Sequence, residues 1–295
     1  MKKNILIVLA LFLSLCYNAI NAQPVLETGK GKMPDEWIDN VTGHLIKRLV
    51  NTPGNHHSFY FHNNPFVDGK MIYYGSDLMR RDTSIAADGY VFHPKGNPYN
   101  SQLYAYDLAT EKTTQLTHKA NSMSGEIVSR ANHEAYYQIK DSVFGVNVNT
   151  GKNRQVYVFP KDFEGNITTV NADGTLLGGA YSTPAEKDIS RKYPKKQDYF
   201  NRIFESKLPR TLFTINIQTD QLNKVFTDSA WLNHVQFSST DPHLLMFCHE
   251  GPWQKVDRIW TIDVVKKDTP KLIHKRTMNM EIAGHEWFSS DGKYI

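Results

Sequence analysis

The sequence has 295 residues, of which 40% are hydrophobic and 12% aromatic. This composition is sufficient to bury a large core, so it excludes an intrinsically disordered chain. The formal net charge of only +4 makes nucleic acid an unexpected partner, because binding a phosphate backbone depends on a strong positive charge.

The N-terminal residues 1–22 are predicted to form a signal peptide. They begin with two lysines, continue with an apolar run over residues 5–15 and end at Ala22, a small residue that suits signal peptidase. The apolar run is too short to span a bilayer comfortably. We therefore expect residues 23–295 to be periplasmic or secreted, without stable membrane insertion once the signal is removed.

The remainder of the chain contains a repeated pattern of short apolar strands. Residues 37–50 have the pattern of one outer strand of a sheet. Hairpins with an Asp-Gly or Asp-Pro turn are then predicted at 63–77, 168–182, 235–250 and 286–295. Two further strands follow most of these hairpins, at 101–117, 210–227 and 257–273, and a weaker unit covers 134–159.

Four strands per unit, repeated every few dozen residues, are typical of a β-propeller. The sequence therefore predicts an all-β protein, a β-propeller of four-stranded antiparallel blades over residues 23–295. Because the printed sequence stops within the last hairpin, at "DGKYI", we expect an incomplete propeller that is truncated at its C-terminus. It would hold about four blades plus two partial ones.

Three insertions are predicted between the second and third strands of blades, at 77–100, 182–210 and 250–257. They should project from the same face of the propeller. The middle insertion contains eight basic residues and four acidic ones. Such an excess of positive charge favours a polyanionic ligand, although a solvated loop has a similar composition.

Three histidines share one position in the repeat. His62 precedes Asp68 by six residues, His285 precedes Asp291 by six and His234 precedes Asp241 by seven. The repeat therefore places all three at the start of a first strand, which lines the central channel. His249 ends a second strand that returns to the same mouth. Channel mouths are frequent binding sites, so these four histidines are candidate site residues.

One cysteine remains once the predicted signal is removed, so no intrachain disulfide is expected. This residue, Cys248, lies in the apolar stretch "LLMFC" and is predicted to be part of the core rather than reactive, because nothing near it in the sequence would lower the pKa of its thiol.

The stretches "YFHNNPF", "NHVQFSSTDPHLLMFCHEGPW", "VDRIW" and "GHEWFSSDGKYI" resemble the oligogalacturonate lyase family. The resemblance covers essentially the whole chain after the signal and implies a seven-bladed propeller. It also implies β-elimination of short pectin-derived galacturonate chains by a histidine base with Mn²⁺ or a similar divalent ion. His234 matches the base in the family's "HxxF" motif, and His285 matches the metal ligand in "GHE". The remaining ligands of the family, a Gln and two His, are expected in a segment beyond Ile295.

An acidic oligosaccharide would need cationic or polar partners. Arg210 and Arg258 are candidate clamps because a guanidinium pairs with a carboxylate through two hydrogen bonds. His62 and His249 are the other predicted substrate-binding residues.

Two other functions are known for β-propellers with similar repeats. The first is a non-catalytic propeller of the periplasmic translocation-protein type, which would act as a protein-binding scaffold but gives no reason for three histidines in one register. The second is the propeller domain of a serine peptidase. The sequence contains no "GxSxG" motif, which disfavours the peptidase.

Overall fold

The structure is a computed structural model that describes residues 34–51, 54–76, 101–266 and 269–295. It divides into two compact units, residues 1–52 and residues 53–295. The predicted signal peptide and the insertion at 77–100 lie outside the described residues. Within the described part of the chain, no helix combines the length and the apolar character needed to cross a membrane.

The described part of the first unit is a β-hairpin. Strands β1 (Glu36–Ile38) and β2 (Leu45–Lys47) pair antiparallel. Between them, the Asp39 carboxylate accepts hydrogen bonds of 2.7 Å from both the backbone N–H and the hydroxyl of Thr42, and these bonds lower the pKa of Asp39. An Asp that bonds to the backbone ahead of it favours a turn. The prediction of a single outer strand over 37–50 is therefore wrong.

The strands described in the second unit form four antiparallel sheets, which we number in chain order. Sheet 1 contains β3 (Asn55–His57), β4 (Phe66–Val67), β5 (Lys70–Ser76), β6 (Gln102–Asp107) and β7 (Thr113–Gln115). Sheet 2 contains β8 (Ser124–Ser129), β9 (Glu134–Ile139), β10 (Ser142–Asn147) and β11 (Asn153–Val158). Sheet 3 contains β12 (Asn166–Val170), β13 (Leu176–Ser182), β14 (Arg210–Asn216) and β15 (Leu222–Asp228). Sheet 4 contains β16 (Trp231–Phe237), β17 (Leu244–Glu250), β18 (Ile259–Asp263) and β19 (Lys271–Leu272).

Local turn chemistry explains the hairpins. Between β4 and β5, Asp68 and Gly69 have φ values of 49° and 72°, the left-handed pair that a tight two-residue hairpin turn requires. Between β12 and β13, the side chain of Asn171 accepts hydrogen bonds of 2.9 Å from the N–H groups of Thr175 and Leu176. Strands β16 and β17 also pair antiparallel, so three of the four predicted hairpins are confirmed.

The fourth predicted hairpin, 286–295, is not formed as strands. It contains a turn at Gly292 and a hydrogen bond of 2.9 Å from the Ser289 N–H to the Tyr294 carbonyl, but no strand is assigned there.

The core lies between consecutive sheets. Ile72 and Leu103 of sheet 1 pack with Tyr137 of sheet 2. Further clusters join sheet 2 to sheet 3 and sheet 3 to sheet 4, the latter around Leu212 and Phe247. Four-stranded antiparallel sheets that share a core with the sheet before and the sheet after are the arrangement of a β-propeller, so the predicted fold class is confirmed. The number of blades in a complete ring stays a prediction.

Two of the three predicted insertions are described. The segment between β13 and β14 forms helices α1 (Pro184–Lys192) and α2 (Lys196–Ser206), and the segment between β17 and β18 holds a short 3₁₀ helix, Trp253–Lys255. Helix α1 begins with proline at its first turn, where the missing N–H costs nothing. Several basic side chains of the middle insertion are paired or stacked, such as Arg202 over the ring of Tyr193 and Lys187 with Glu164.

Candidate active site

His234 lies in an irregular part of β16. The pairing of β16 with β17 shifts between Asn233 and Gln236, which marks a β-bulge at His234. His234 has a φ of 48°, a left-handed conformation that costs a non-glycine residue on the order of 1–3 kcal/mol. Bulges redirect a side chain out of the regular alternation of a strand. Here the bulge places Nε2 of His234 3.2 Å from Oε2 of Glu250.

His62 and His285 lie near His234, but they do not occupy the predicted position at a strand start. His62 is in a turn ahead of β4, His234 is in the middle of β16 and His285 is outside any assigned strand, with a φ of 58°. The predicted common register is therefore wrong in detail. The sequence spacing did not show the bulge or the turn that set these positions.

The three histidines still converge on one region through aromatic side chains. The rings of His62 and His234 are 6.5 Å apart, centre to centre. Phe61 contacts His62 at 5.3 Å and His285 at 5.1 Å between ring centres. Tyr60 lies 6.2 Å from the ring of His234. The structure thus brings His62, His234 and His285 together at one end of the sheets.

His62 is the more enclosed member of the imidazole pair. Burial, followed by repulsion from His234, lowers the pKa of His62 to about 4. Its Nδ1 atom is buried and has no hydrogen-bond partner among the described residues. His62 is therefore neutral near pH 7.

A buried charge cluster supports His234 from behind. Arg258, whose side chain is only 1% exposed, donates a hydrogen bond of 2.7 Å to Oε1 of Glu250 and one of 3.2 Å to Oε1 of Glu286. Cys248 is fully buried beside Arg258, as the core prediction required, and burial raises the pKa of its thiol.

Sequence reasoning missed both glutamates of this cluster. Each one directly follows a histidine that had been selected, in the pairs His249–Glu250 and His285–Glu286. The alternation of side chains along a strand was the available signal. It places Glu250 on the face of β17 opposite to His249, and therefore on the face of Cys248.

The two predicted arginine clamps already have carboxylate partners. Arg258 is held by Glu250 and Glu286, as described above. Arg210 pairs with Glu186 of α1 through both Nε, at 2.7 Å, and Nη2, and its Nη1 donates to the Leu232 carbonyl at 2.7 Å. Neither guanidinium is free for a substrate carboxylate in this structure.

His249 is separated from the other histidines. Its ring stacks on Trp260 at 4.7 Å, with an angle of 21° between the planes. Burial lowers the pKa of His249, which keeps the ring neutral near pH 7. His249 lies near the end of β17, as predicted, but its side chain packs on the face of sheet 4 opposite to Glu250, so it does not join the His234–Glu250 pair.

Two positions are candidates for a metal ion, the group around Glu250 and the predicted ligand His285. His234, Cys248 and Glu250 place their ligand atoms within 4.8 Å of one another. However, Arg258 already neutralises Glu250, and the thiol of Cys248 is buried and protonated, a poor donor for a hard ion such as Mn²⁺. His285, the predicted ligand, is exposed and belongs to no group of three ligands among the described residues. The described residues therefore do not complete a manganese site by themselves.

A cavity of about 480 Å³ adjoins His62, and its volume is within the range of small-molecule sites. His62, Phe61, Gln236 and Trp287 are among its lining residues. The side chain of His234 is 24% exposed, so it is accessible as well as anchored. An accessible imidazole that is held by a carboxylate is suited to proton transfer.

These features define a propeller with an imidazole–carboxylate pair at one end of its sheets. The sequence model of one protein family, described as oligogalacturonate lyase, matches residues 35–295. The chain belongs to this family. The family assignment does not favour the alternative of a protein-binding scaffold.

Individual relatives give the same result. The chain is 27% identical to the oligogalacturonate lyase of Dickeya dadantii over 262 residues, which cover 87% of this chain and 61% of that protein. It is also 27% identical to an oligogalacturonide lyase of Pectobacterium atrosepticum, with 86% and 60% covered. The chain thus spans about three fifths of the length of these relatives.

Solved structures agree on the fold. A structure described as oligogalacturonate lyase in complex with manganese matches with a TM-score of 0.67 and 23% identity, covering 88% of this chain and 63% of that one. The oligogalacturonate lyase of Vibrio parahaemolyticus matches with a TM-score of 0.62 and 22% identity, covering 82% and 59%.

Proposed function

We propose that this protein is an oligogalacturonide lyase that cleaves short pectin-derived galacturonate chains by β-elimination, with His234 as the general base. The observation that carries the proposal is the geometry of His234. A β-bulge holds this accessible imidazole in a left-handed conformation, with one nitrogen on a buried carboxylate and the ring beside His62.

The reaction requires a base of moderate strength. The base removes the proton from the carbon that carries the uronate carboxylate, and the electrons of that C–H bond form a carbon–carbon double bond. The glycosidic oxygen then leaves with the electrons of its bond to the neighbouring carbon and gains a proton from water. Imidazole titrates close to neutral pH without large perturbation, which suits this role.

The proposed partner is an acidic oligosaccharide. The cavity lined by His62, which lies beside His234, has a volume of about 480 Å³, within the range of sites for small ligands. Of the predicted substrate-binding residues, we retain His62, because it lines this cavity and lies beside His234. Arg210, Arg258 and His249 are engaged by Glu186, Glu250 and Trp260, so we propose that they support the site rather than contact the substrate.

Manganese, or a similar divalent ion, is the proposed cofactor, because the similar lyase structure is described as a manganese complex. His285 is the proposed ligand from this chain, and its exposed ring leaves it able to bind an ion. Among the described residues, His285 is the one side chain that we propose would hold this ion.

The location proposed for the protein is the periplasm or the exterior of the cell. This proposal rests on the charged, apolar and small-residue pattern of residues 1–22. Residues 23–295 are accordingly the proposed mature protein.

The test is turnover of oligogalacturonides by the purified protein with manganese chloride in large excess, because the ion is expected to bind weakly, and the reaction is followed by the ultraviolet absorbance of the unsaturated product. His234→Ala should lower the rate at least about a hundredfold, the usual scale for loss of a general base. The matched control is His243→Ala, since His243 is exposed in the turn at the other end of the β16–β17 hairpin. Comparable activity of the two variants would remove His234 from the role of base.

A further inference from the structure

The contact between His234 and Glu250 joins one particular ring nitrogen to one particular carboxylate oxygen. Nε2 of His234 lies 3.2 Å from Oε2 of Glu250, and the Glu250 side chain is only 8% exposed. The second oxygen, Oε1, accepts hydrogen bonds from Arg258 at 2.7 Å and from the Gly251 N–H at 3.1 Å. The carboxylate is therefore fixed in position by contacts that do not involve His234.

Glu250 is ionised in this environment. Burial alone would raise its pKa, but the hydrogen bond from His234 and the positive charge of Arg258 outweigh burial and lower the pKa to about 2. An ionised carboxylate has no hydrogen to donate and can only accept. The short contact with Nε2 is favourable only when that nitrogen carries the hydrogen.

We propose that Glu250 is a positioning residue that holds the hydrogen of His234 on Nε2 and so leaves Nδ1 as the atom that accepts the proton from the substrate. This inference rests on the proposed function, since it names the reacting nitrogen of the proposed base. In the reaction, the proton leaves the carbon next to the uronate carboxylate and bonds to Nδ1. The imidazolium that results keeps its Nε2–H on the carboxylate of Glu250, which stabilises the new positive charge.

The other groups around His234 do not replace this role. The titratable and charged groups that face it, directly or through Glu250, are Tyr60, His62, Cys248, Arg258 and Glu286. Burial keeps His62 and Cys248 uncharged near pH 7, and burial raises the pKa of Tyr60, so its phenol is also neutral. Arg258 and Glu286 act at one remove, through the guanidinium that holds Glu250. Among the described residues, Glu250 is the anion in contact with the imidazole.

A spectroscopic test reads the tautomer directly and does not depend on turnover. The full chain is labelled with ¹⁵N in its histidines, and two-bond ¹H–¹⁵N correlation spectra are recorded above pH 7. The signals of His234 are assigned by their loss in His234→Ala. We expect a protonated Nε2 and an unprotonated Nδ1. A ring with its hydrogen on Nδ1 would overturn the proposal, whether or not the protein is a lyase.

A kinetic test then separates positioning from mere structural support. Glu250→Gln keeps the size of the side chain and removes its charge, and Arg258 retains Glu286 as a partner. We expect kcat to fall at least about tenfold, as for loss of a residue that orients a catalytic histidine, with KM little changed. We also expect the rising limb of kcat against pH to move to lower pH, because the imidazolium loses its anionic partner.

The matched control is Glu134→Gln, which neutralises a carboxylate that pairs with Arg154 in sheet 2. This variant should keep the wild-type pH profile. An unchanged pH profile in Glu250→Gln would refute the positioning role while leaving the lyase assignment intact. Full activity of His234→Ala would instead refute the proposed function, and the tautomer measured by NMR would still decide the arrangement of the pair. If Glu250→Gln does not fold, the spectra of the wild-type protein decide the proposal.

Discussion

The guanidinium of Arg258 lies 3.2 Å from the carboxylate of Glu286, a residue 28 positions later in the chain, and both side chains are almost fully buried. The same guanidinium holds Glu250, 2.7 Å away. One positive charge thus serves two buried carboxylates, and it links the start of β18, which Arg258 directly precedes, to the segment that carries His285.

Replacing Arg258 should therefore strongly destabilise the folded protein. Arg258→Met would leave two carboxylates buried without a counter-charge, a change that typically costs about 3–5 kcal/mol of unfolding free energy. Urea unfolding of the wild type and the variant measures the loss. Arg191→Met is the control, because Arg191 and its carboxylate partner Asp188 are 74% and 63% exposed. It should lose only about 1 kcal/mol, and equal losses in the two variants would contradict the special importance of the buried cluster.

Stability should depend on pH through His62. Because burial and the nearby His234 lower the pKa of His62 from 6.5 to about 4, the folded protein favours the neutral ring. The corresponding stability is complete above pH 6.5 and is lost as the pH falls towards 4, by up to about 3 kcal/mol. The difference in unfolding free energy between the wild type and His62→Gln should shrink over this range. A difference that stays constant from pH 7 to pH 4 would show that His62 is not buried as described.

The sequence predicted those parts of the fold that depend on neighbouring residues. The β4–β5 and β12–β13 hairpins follow from Asp-Gly turns, and an alternating apolar pattern identifies strands whatever their partners. The hairpin at 36–47 was missed. Its polar turn around Asp39 has only six residues, so the whole segment was short enough to be taken for one strand.

The candidate site was only partly predictable for a physical reason. Spacing along the chain identified His62, His234 and His285 as neighbours, but it assumed regular strands. The bulge at His234 alters the direction of the side chain, and no residue type in "NHVQF" marks it. The pairing of Arg258 with Glu250 and Glu286 joins segments that are distant in sequence, and with a single sequence such contacts have no local signal.

The left-handed conformation of His234 can be tested by comparing two truncations. His234→Ala and His234→Gly both remove the imidazole, but only alanine incurs the cost of a Cβ at a φ of 48°. The glycine variant should therefore be more stable than the alanine variant by about 1 kcal/mol, as measured by thermal or urea unfolding. At Asn233, which is not among the residues with positive φ, the order should be reversed, with glycine about 0.5–1 kcal/mol less stable than alanine. The same order at both positions would contradict the bulge geometry.

Manganese binding by the 295-residue chain should be weak. His285 is exposed and has no second or third ligand beside it among the described residues, and one imidazole competes poorly with water for a hard divalent ion. The alternative group of His234, Cys248 and Glu250 is disfavoured, because an ion there would have to displace the guanidinium of Arg258 from Glu250 and deprotonate a buried thiol whose pKa is raised.

Calorimetric titration of the purified chain with manganese chloride should therefore show no saturable one-to-one binding, and His285→Ala should give the same trace. Tight binding that is lost in His285→Ala would mean that further ligands of His285 lie within these 295 residues. Tight binding that is lost in Cys248→Ala would place the ion in the buried cluster, and Glu250 could not then act as the fixed acceptor for His234.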